Sequence, residues 1–210
     1  MATYSLYTNP MSRGQIARWA LHEAGADYTQ RLTEWGSPLP DLLALNPMGK
    51  VPTLVHHHGG HDHVVTEAAA ICHYLAETSA PDLLPRPEEK ADYFRYLFFA
   101  AGPMEQAITA QSMGWRPDGP QKEGMAGFGS FERAVDAFDK MLSGREYACG
   151  DSFTMADVYV GAQVDWGLQF KTLPERPSFT AYAERLRMRD AYRAAKEIDE
   201  KLIAEAGTNS

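Results

Sequence analysis

The residues placed to do chemistry sit at two points in the first third of the chain. Lys50-Val51-Pro52-Thr53-Leu54-Val55 reads as a short apolar strand with a proline at its mouth. Proline gives no N–H to a ladder, so here it marks a strand start, a bulge or a cis peptide. A cis bond turns the chain sharply and leaves the N–H and C=O of Val51 facing outward, free to pair with an extended ligand. Val64-Val65 then lead through Thr66-Glu67 into a helical pattern carrying Ala70, Ile71, Tyr74 and Leu75. The start of such a helix offers unpaired N–H groups and a positive dipole end, which together bind anions. The other point is Ser12, a hydroxyl at the mouth of the first predicted helix, with Tyr7 five residues before it and Arg13 beside it. A serine there serves as an ordinary N-cap, or as a hydroxyl that stabilises an anionic nucleophile. Residue type alone does not separate these roles. For Tyr4 and Tyr7 the ordinary role is strand packing, and for Arg13 and Lys50 it is solvation.

Two other groups are set aside. Cys72 and Cys149 are far apart and no CxxC occurs, so both are expected as buried small apolar residues rather than a redox pair. His56, His57, His58, His61 and His63 crowd five of the seven histidines into one short stretch. Only Asp62 joins them, so the expectation is a surface hairpin with no resident metal and an adventitious affinity for immobilised metal.

The elements that must position these residues follow from periodicity. Thr3 to Tyr7 alternate as a first strand, and Thr8 to Met11 form a turn. A helix carries Ile16, Trp19 and Ala20 and stops at Gly25. DYTQRLTEW is a second strand, Leu39 to Leu45 a brief helix, and a hairpin and helix complete a β-α-β-α-β-β-α order. APDLLPRP has no period and suits a linker. Beyond Glu88 every pattern is helical. EEKADYFRYLFFAAGPMEQAITAQSM is one long helix with Tyr93, Tyr96, Leu97, Ala100 and Met104 on a stripe, GWRPDGPQKEGMAGFG is a loop, and FERAVDAFDKMLSG is amphipathic. Thr154 and Asp157 form a capping box ahead of VYVGAQVDW, two more helices follow, and GTNS is a frayed tail.

At 210 residues and 44% hydrophobic, the chain suits one large or two small globular domains. A net charge of −8 argues against nucleic acid or an anionic membrane surface as partner. No long apolar run and no signal-peptide zones occur, so a soluble cytoplasmic protein is expected.

NPMGKVPTL followed by TEAAAICHYLAE resembles the glutathione-binding half of the cytosolic, bacterial-type glutathione S-transferases, and TMAD is similar to the box opening the central helix of that family's second domain. The resemblance implies an α/β thioredoxin-like N-terminal domain over 1–79, a linker over 80–87, and an all-α helical domain over 88–210 that contributes an electrophile site. It implies conjugation of the glutathione thiolate to a small hydrophobic electrophile, with glutathione as co-substrate and no metal. A glutathione-dependent isomerase or peroxidase, or a non-catalytic transferase-like interaction protein, are the alternatives. A thioredoxin-type oxidoreductase fails because Met11 and Ser12 stand where a cysteine is needed. The implied activating residue is Ser12, with Tyr7 the rival and Arg13 orienting the thiolate by charge. The implied glutathione site has Pro52 in cis, the Val51 backbone on the cysteinyl part, Lys50 and Trp35 at the glycyl end, and Glu67 on the γ-glutamyl ammonium. Where the family has an acidic residue and a serine, this chain has Glu67-Ala68, so the Ala68 N–H or the Thr66 hydroxyl must take the γ-glutamyl carboxylate. Met11, Met104, Gln111 and Trp115 are expected to wall an electrophile pocket between the domains. A cytoplasmic homodimer acting in detoxification completes the implied picture.

Overall fold

Alternating aromatic and β-branched residues form strands β1 (Tyr4–Thr8), β2 (Tyr28–Leu32), β3 (Thr53–His58) and β4 (His61–Thr66) in a computed structural model that describes residues 3–208. The sheet order is β2-β1-β3-β4, with β1 parallel to β2, antiparallel to β3, and β3 antiparallel to β4. Helix α1 (Gly14–Glu23) joins the parallel pair, α2 (Pro40–Leu45) leads into β3, and α3 (Ala68–Thr78) follows β4. This is the thioredoxin-like order that the sequence predicts. The hairpin turn is Gly59-Gly60, both at positive φ (62° and 79°), the conformation that a tight two-residue turn of this hand demands.

A short 3₁₀ turn, Pro81–Leu83, lies in the expected linker, and a second, Pro87–Glu89, begins at its last residue. Then come α4 (Lys90–Phe99), α5 (Glu105–Met113), α6 (Pro120–Met125), α7 (Phe131–Leu142), α8 (Met155–Gln169), α9 (Pro177–Arg187) and α10 (Asp190–Thr208). The predicted single long helix is interrupted by a π turn, Ala100–Met104, which holds Pro103. Proline removes one helical N–H and crowds the carbonyl a turn back, and a widened turn accommodates both. The predicted Gly/Pro loop contains α6. Of the predicted frayed tail, Gly207 and Thr208 belong to α10, and Asn209 and Ser210 lie outside the described residues. Among the described residues no helix is long and apolar enough to cross a membrane.

The chain divides into two compact units, one running to Leu84 and resuming at Met188, the other Pro85–Arg187. A helical domain from residue 88 to the end would include α10, yet α10 packs on α1. The reason is a buried charge. Arg18 of α1 is fully buried; its Nε donates to Asp199 Oδ1 of α10 at 3.0 Å, and its NH1 donates to Tyr28 and Gln30 of β2, both at 3.0 Å. Trp19 meets Tyr192 edge-on, and Arg189 grips Glu23 through two short hydrogen bonds. The opposite sheet face is covered by α2, where Tyr7, Leu42 and Val55 form a small core flanked by Leu39, Leu45 and Val51.

In the other unit α8 is buried on nearly every side, from Met155 through Asp165. The predicted stripes hold, with Tyr93, Tyr96, Leu97, Ala100 and Met104 buried, and with α7 burying Ala134, Val135, Phe138, Met141 and Leu142. The Thr154–Asp157 capping box is present. Asp157 Oδ2 accepts from the Thr154 N–H (2.8 Å) and hydroxyl (3.0 Å), while Oδ1 accepts from the Ala148 N–H (2.7 Å) and the Tyr182 hydroxyl (2.6 Å). One carboxylate thus ties the α8 N-terminus to the preceding loop and to α9.

Asp157→Ala strands four buried donors at once, and should cost roughly 3–5 kcal/mol in urea unfolding of the chain. A loss below about 1 kcal/mol would show that water replaces the carboxylate. Burial pushes the Asp199 carboxyl up to about 6 against the pull of Arg18. The folded chain then holds a proton that the unfolded chain has released between about pH 4 and 6, so this group's contribution to stability falls as pH rises through that window, by up to roughly 3 kcal/mol. The urea midpoints of wild type and Asp199→Asn should accordingly lie close together at pH 4 and separate toward pH 7, wild type becoming the less stable; a constant difference would contradict it.

Candidate active site

The edge of the sheet at Pro52 is built from a buried side-chain amide. Asn46 follows α2, and its Nδ2 donates to the Lys50 carbonyl and to Thr53 Oγ1, both at 3.1 Å; its Oδ1 accepts from the Met48 N–H at 3.2 Å. Thr53 Oγ1 in turn donates to the Lys50 carbonyl at 2.9 Å. These bonds close a loop around the Val51–Pro52 peptide, which is cis. The β3–β4 ladder ends at the Thr53–Thr66 pair, so the Val51 backbone lies beyond it. Of the three options for Pro52 the structure has the cis peptide, at the head of β3, a strand between β1 and β4.

Across from this edge Glu67 stands at φ 64°, ψ 116°, a non-glycine residue in left-handed space directly before α3. Such a conformation persists only where surroundings over-determine it, and it clusters at ligand-holding positions. No side chain caps α3, so the first-turn N–H groups keep their capacity for an anion. Ala68 is buried, Thr66 half-buried, and Glu67 and Lys50 are exposed. Trp35 is 62% exposed, in the segment between β2 and α2.

The turn after β1 carries Ser12, which is 7% exposed. Asn9 organises this turn: its Nδ2 donates to the Thr33 carbonyl and its Oδ1 accepts from the Met11 N–H, each at 2.9 Å. Ser12 Oγ donates to the Asn9 carbonyl at 2.7 Å and accepts from the Gly14 N–H at 2.9 Å. The sequence expectation of an N-cap is met in substance, one residue out of register, because α1 begins at Gly14. Glycine is required there by contact: a Cβ at Gly14 would lie 1.9 Å from Thr8 Oγ1 and 3.0 Å from Ser12 Oγ. Arg13 and Met11 are exposed.

Tyr7 is committed elsewhere. Its hydroxyl donates to Asp41 Oδ2 at 2.9 Å, the same oxygen that Arg31 NH2 reaches at 2.7 Å. Burial and the Asp41 carboxylate raise the Tyr7 pKa above its ordinary value, which keeps the phenol protonated and pointed at α2. Both cysteines are free and buried, and burial pushes the Cys149 thiol up to about 12 and Cys72 higher still. Neither is a nucleophile at neutral pH.

Met104 is wholly buried in the helical core, so its place on the predicted stripe outweighs its role as a wall. Gln111 keeps Oε1 buried without a partner, beside a cavity of about 90 Å³ lined also by Arg116, Phe128 and Phe131. Trp115 and Met11 are exposed, at 66% and 59%. Asn46, Asn9 and Asp41 were missed by sequence reasoning. The Asn46-Pro47-Met48-Gly49 run is a turn signal that could have found Asn46, but nothing local marks Asp41 as the partner of Tyr7.

A thioredoxin-like sheet with a cis proline at its open edge, followed by a helical unit, is the architecture of the glutathione transferases. Residues 11–78 match the glutathione S-transferase N-terminal domain and residues 93–190 the glutathione S-transferase C-terminal domain. Glutathione S-transferase 3 of Zea mays is 31% identical over 75% of both chains, and glutathione S-transferase GstA of Escherichia coli O157:H7 is 25% identical over 95% of this chain and 98% of its own. A theta class glutathione S-transferase from Xanthomonas axonopodis pv. citri, solved with glutathione bound, superposes with a TM-score of 0.72 at 27% identity, over 93% of this chain and 97% of that one. The chain belongs to the glutathione S-transferase family.

Asn46→Ala strips the Met48 N–H of its partner and leaves the Lys50 carbonyl and Thr53 hydroxyl with only their bond to one another, and should cost roughly 1–3 kcal/mol. Hydrogen exchange at Met48 to Val51 should quicken by about tenfold or more beyond that of β1; uniform quickening over both would mean that the amide supports the whole unit rather than this loop.

Proposed function

We propose that the protein joins the thiolate of glutathione to a small apolar electrophile, with Ser12 activating the sulfur. The single observation that carries this reading is the cis Val51–Pro52 edge, locked by Asn46 and facing an uncapped helix start at Glu67-Ala68. On this reading the Val51 N–H and C=O pair with the cysteinyl residue of glutathione. Glu67 takes the γ-glutamyl ammonium, the Ala68 N–H and Thr66 hydroxyl take its carboxylate, and Lys50 and Trp35 meet the glycyl end.

A free thiol with pKa about 8.5 is only a few per cent ionised at pH 7, and lowering it by about two units makes most of it nucleophilic. Two units equal about 2.7 kcal/mol of preference for the anion. Ser12 now donates to a neutral carbonyl, a bond of net value about 1 kcal/mol, whereas a hydrogen bond to a charged acceptor is worth about 1.5–3 kcal/mol. Turning the hydroxyl from Asn9 to a thiolate is therefore favourable. The Gly14 N–H, the first of α1, already donates to Oγ, so it polarises the hydroxyl and brings the helix N-terminus to bear on the sulfur. Tyr7 holds Asp41 and stabilises α2 instead. Met11, Gln111 and Trp115 are the proposed electrophile contacts; Met104 supports Gln111's helix from the core.

We assign the protein to the cytoplasm, as a homodimer, in the removal of reactive electrophiles. Two free buried thiols suit a reducing compartment, and the exposed Phe94 and Phe98 pair on α4 suits a partner surface.

Ultraviolet difference absorbance of bound thiolate against pH tests the assignment. Wild type should form the thiolate about two units below the free pKa; Ser12→Ala should lose about one to two of them and about 10–100-fold in kcat/KM, with Tyr7→Phe within about threefold of wild type. A shift that survives Ser12→Ala and disappears in Tyr7→Phe would reverse the roles, and no glutathione binding at all would sink the transferase reading.

A further inference from the structure

The histidine-rich hairpin has no part in the site just described, and its register gives it one of its own. In the β3–β4 ladder His56 lies opposite His63 and His58 opposite His61, so four imidazoles share one face. His57 and Asp62, also opposite one another, lie on the other face, where His57 Nδ1 is 2.6 Å from Asp62 Oδ1 and Nε2 is 2.8 Å from Ser5 Oγ. Those contacts and the Gly59-Gly60 turn fix the backbone from which the four rings project.

The rings stand near coordinating separation. The His56 centroid is 5.3 Å from that of His58 and 6.2 Å from that of His63. Two imidazoles on one tetrahedral ion, with metal–nitrogen bonds of about 2.0 Å, have centroids roughly 5 Å apart. His56 is the fixed member: it is 8% exposed, stacks on Tyr4 at 4.5 Å, and holds Tyr74 Oη 2.9 Å from Nδ1. Nε2 is left as the ligating atom, and Tyr74 plays the outer partner that orients a ligand ring. Burial, and the charges that His58, His63 and His57 carry when protonated, lower the His56 pKa, which favours the neutral imidazole a metal requires. Among the described residues no three ligating side chains converge on one point. His58, His61 and His63 are exposed, so their rings can turn in solvent toward His56.

We propose that this face of the hairpin binds one divalent ion of the imidazole-seeking class, zinc, nickel or copper, through His56 and two or three of His58, His61 and His63. Oxygen-seeking ions such as magnesium and calcium are poorly served, because the one acidic residue of the hairpin, Asp62, is on the opposite face. The site lies four to six residues along the chain from Pro52, roughly 13–20 Å away, so the ion takes no part in thiol chemistry.

Protein without an affinity tag, stripped with chelator, is titrated separately with zinc, nickel and copper, with binding read by competition against a chromophoric chelator and copper ligation by electron paramagnetic resonance. The expected result is one ion per chain at about micromolar dissociation constant or tighter near neutral pH, copper tightest, with three or four nitrogen ligands. Affinity should fall about tenfold or more near pH 5, as the ligands protonate. Joint His58→Gln and His63→Gln substitution should weaken binding at least about fiftyfold, while His57→Gln, on the other face, stays within about threefold. Binding that needs millimolar ion, that survives the double substitution, or that falls equally with His57→Gln would overturn the proposal.

Discussion

A buried amide, the side chain of Asn46, holds the bend on which the active edge depends. A proline at the head of a strand removes one donor, and a chain that turns there leaves carbonyls with nowhere in the ladder to go. Asn46 answers with two donors and one acceptor, toward Lys50, Thr53 and Met48. With those groups satisfied, the backbone of Val51 need not be part of the sheet. On the proposed reading it is the free backbone that an extended peptide joins. The same loop sets where β3 begins, and so where Val55 meets Tyr7 and Leu42 beneath α2.

The second polar centre works by the same logic with a different purpose. Asn9 organises the turn after β1 as Asn46 organises the turn before β3, and each spends its amide on backbone groups that no strand or helix can serve. In the first turn this places the Ser12 hydroxyl between a carbonyl that accepts from it and a helix N–H that donates to it. Such a hydroxyl has a fixed position and a proton that can change partner. On the proposed reading, chemistry at this turn is a matter of redirecting one hydrogen bond, not of building one.

Local patterns made much of this legible. The strand and helix periods, the proline at a strand mouth, the Thr154–Asp157 box and the buried stripes of α4 and α7 all concern residues a few positions apart, where spacing alone decides which side chains meet. Pro103 carried a signal that spacing could not convert into a π turn, since helices absorb proline in more than one way. Met104 belonged to a stripe and to an expected wall, and its complete burial follows the stripe, which its neighbours shared. The partners of Tyr7 and of Arg18 were not legible. Asp41 is 34 residues from Tyr7, and Asp199 is 181 residues from Arg18. Nothing near either residue announces a partner at that distance, and a buried arginine looks in sequence like any solvated one.

That last separation bears on the order in which the protein is made. Ribosomes add roughly 5–20 residues each second, so Arg18 emerges roughly 10–40 seconds before Asp199. Throughout that interval α1 carries a charge that the finished unit hides completely, and the first sheet lacks the helix that neutralises it. The Pro85–Arg187 unit has every residue it needs while the older, N-terminal part of the chain is still waiting. Completion of the first unit is thus deferred until α10 has been made, and a nascent chain stalled short of α10 would offer an arginine lacking its carboxylate to whatever chaperone attends it.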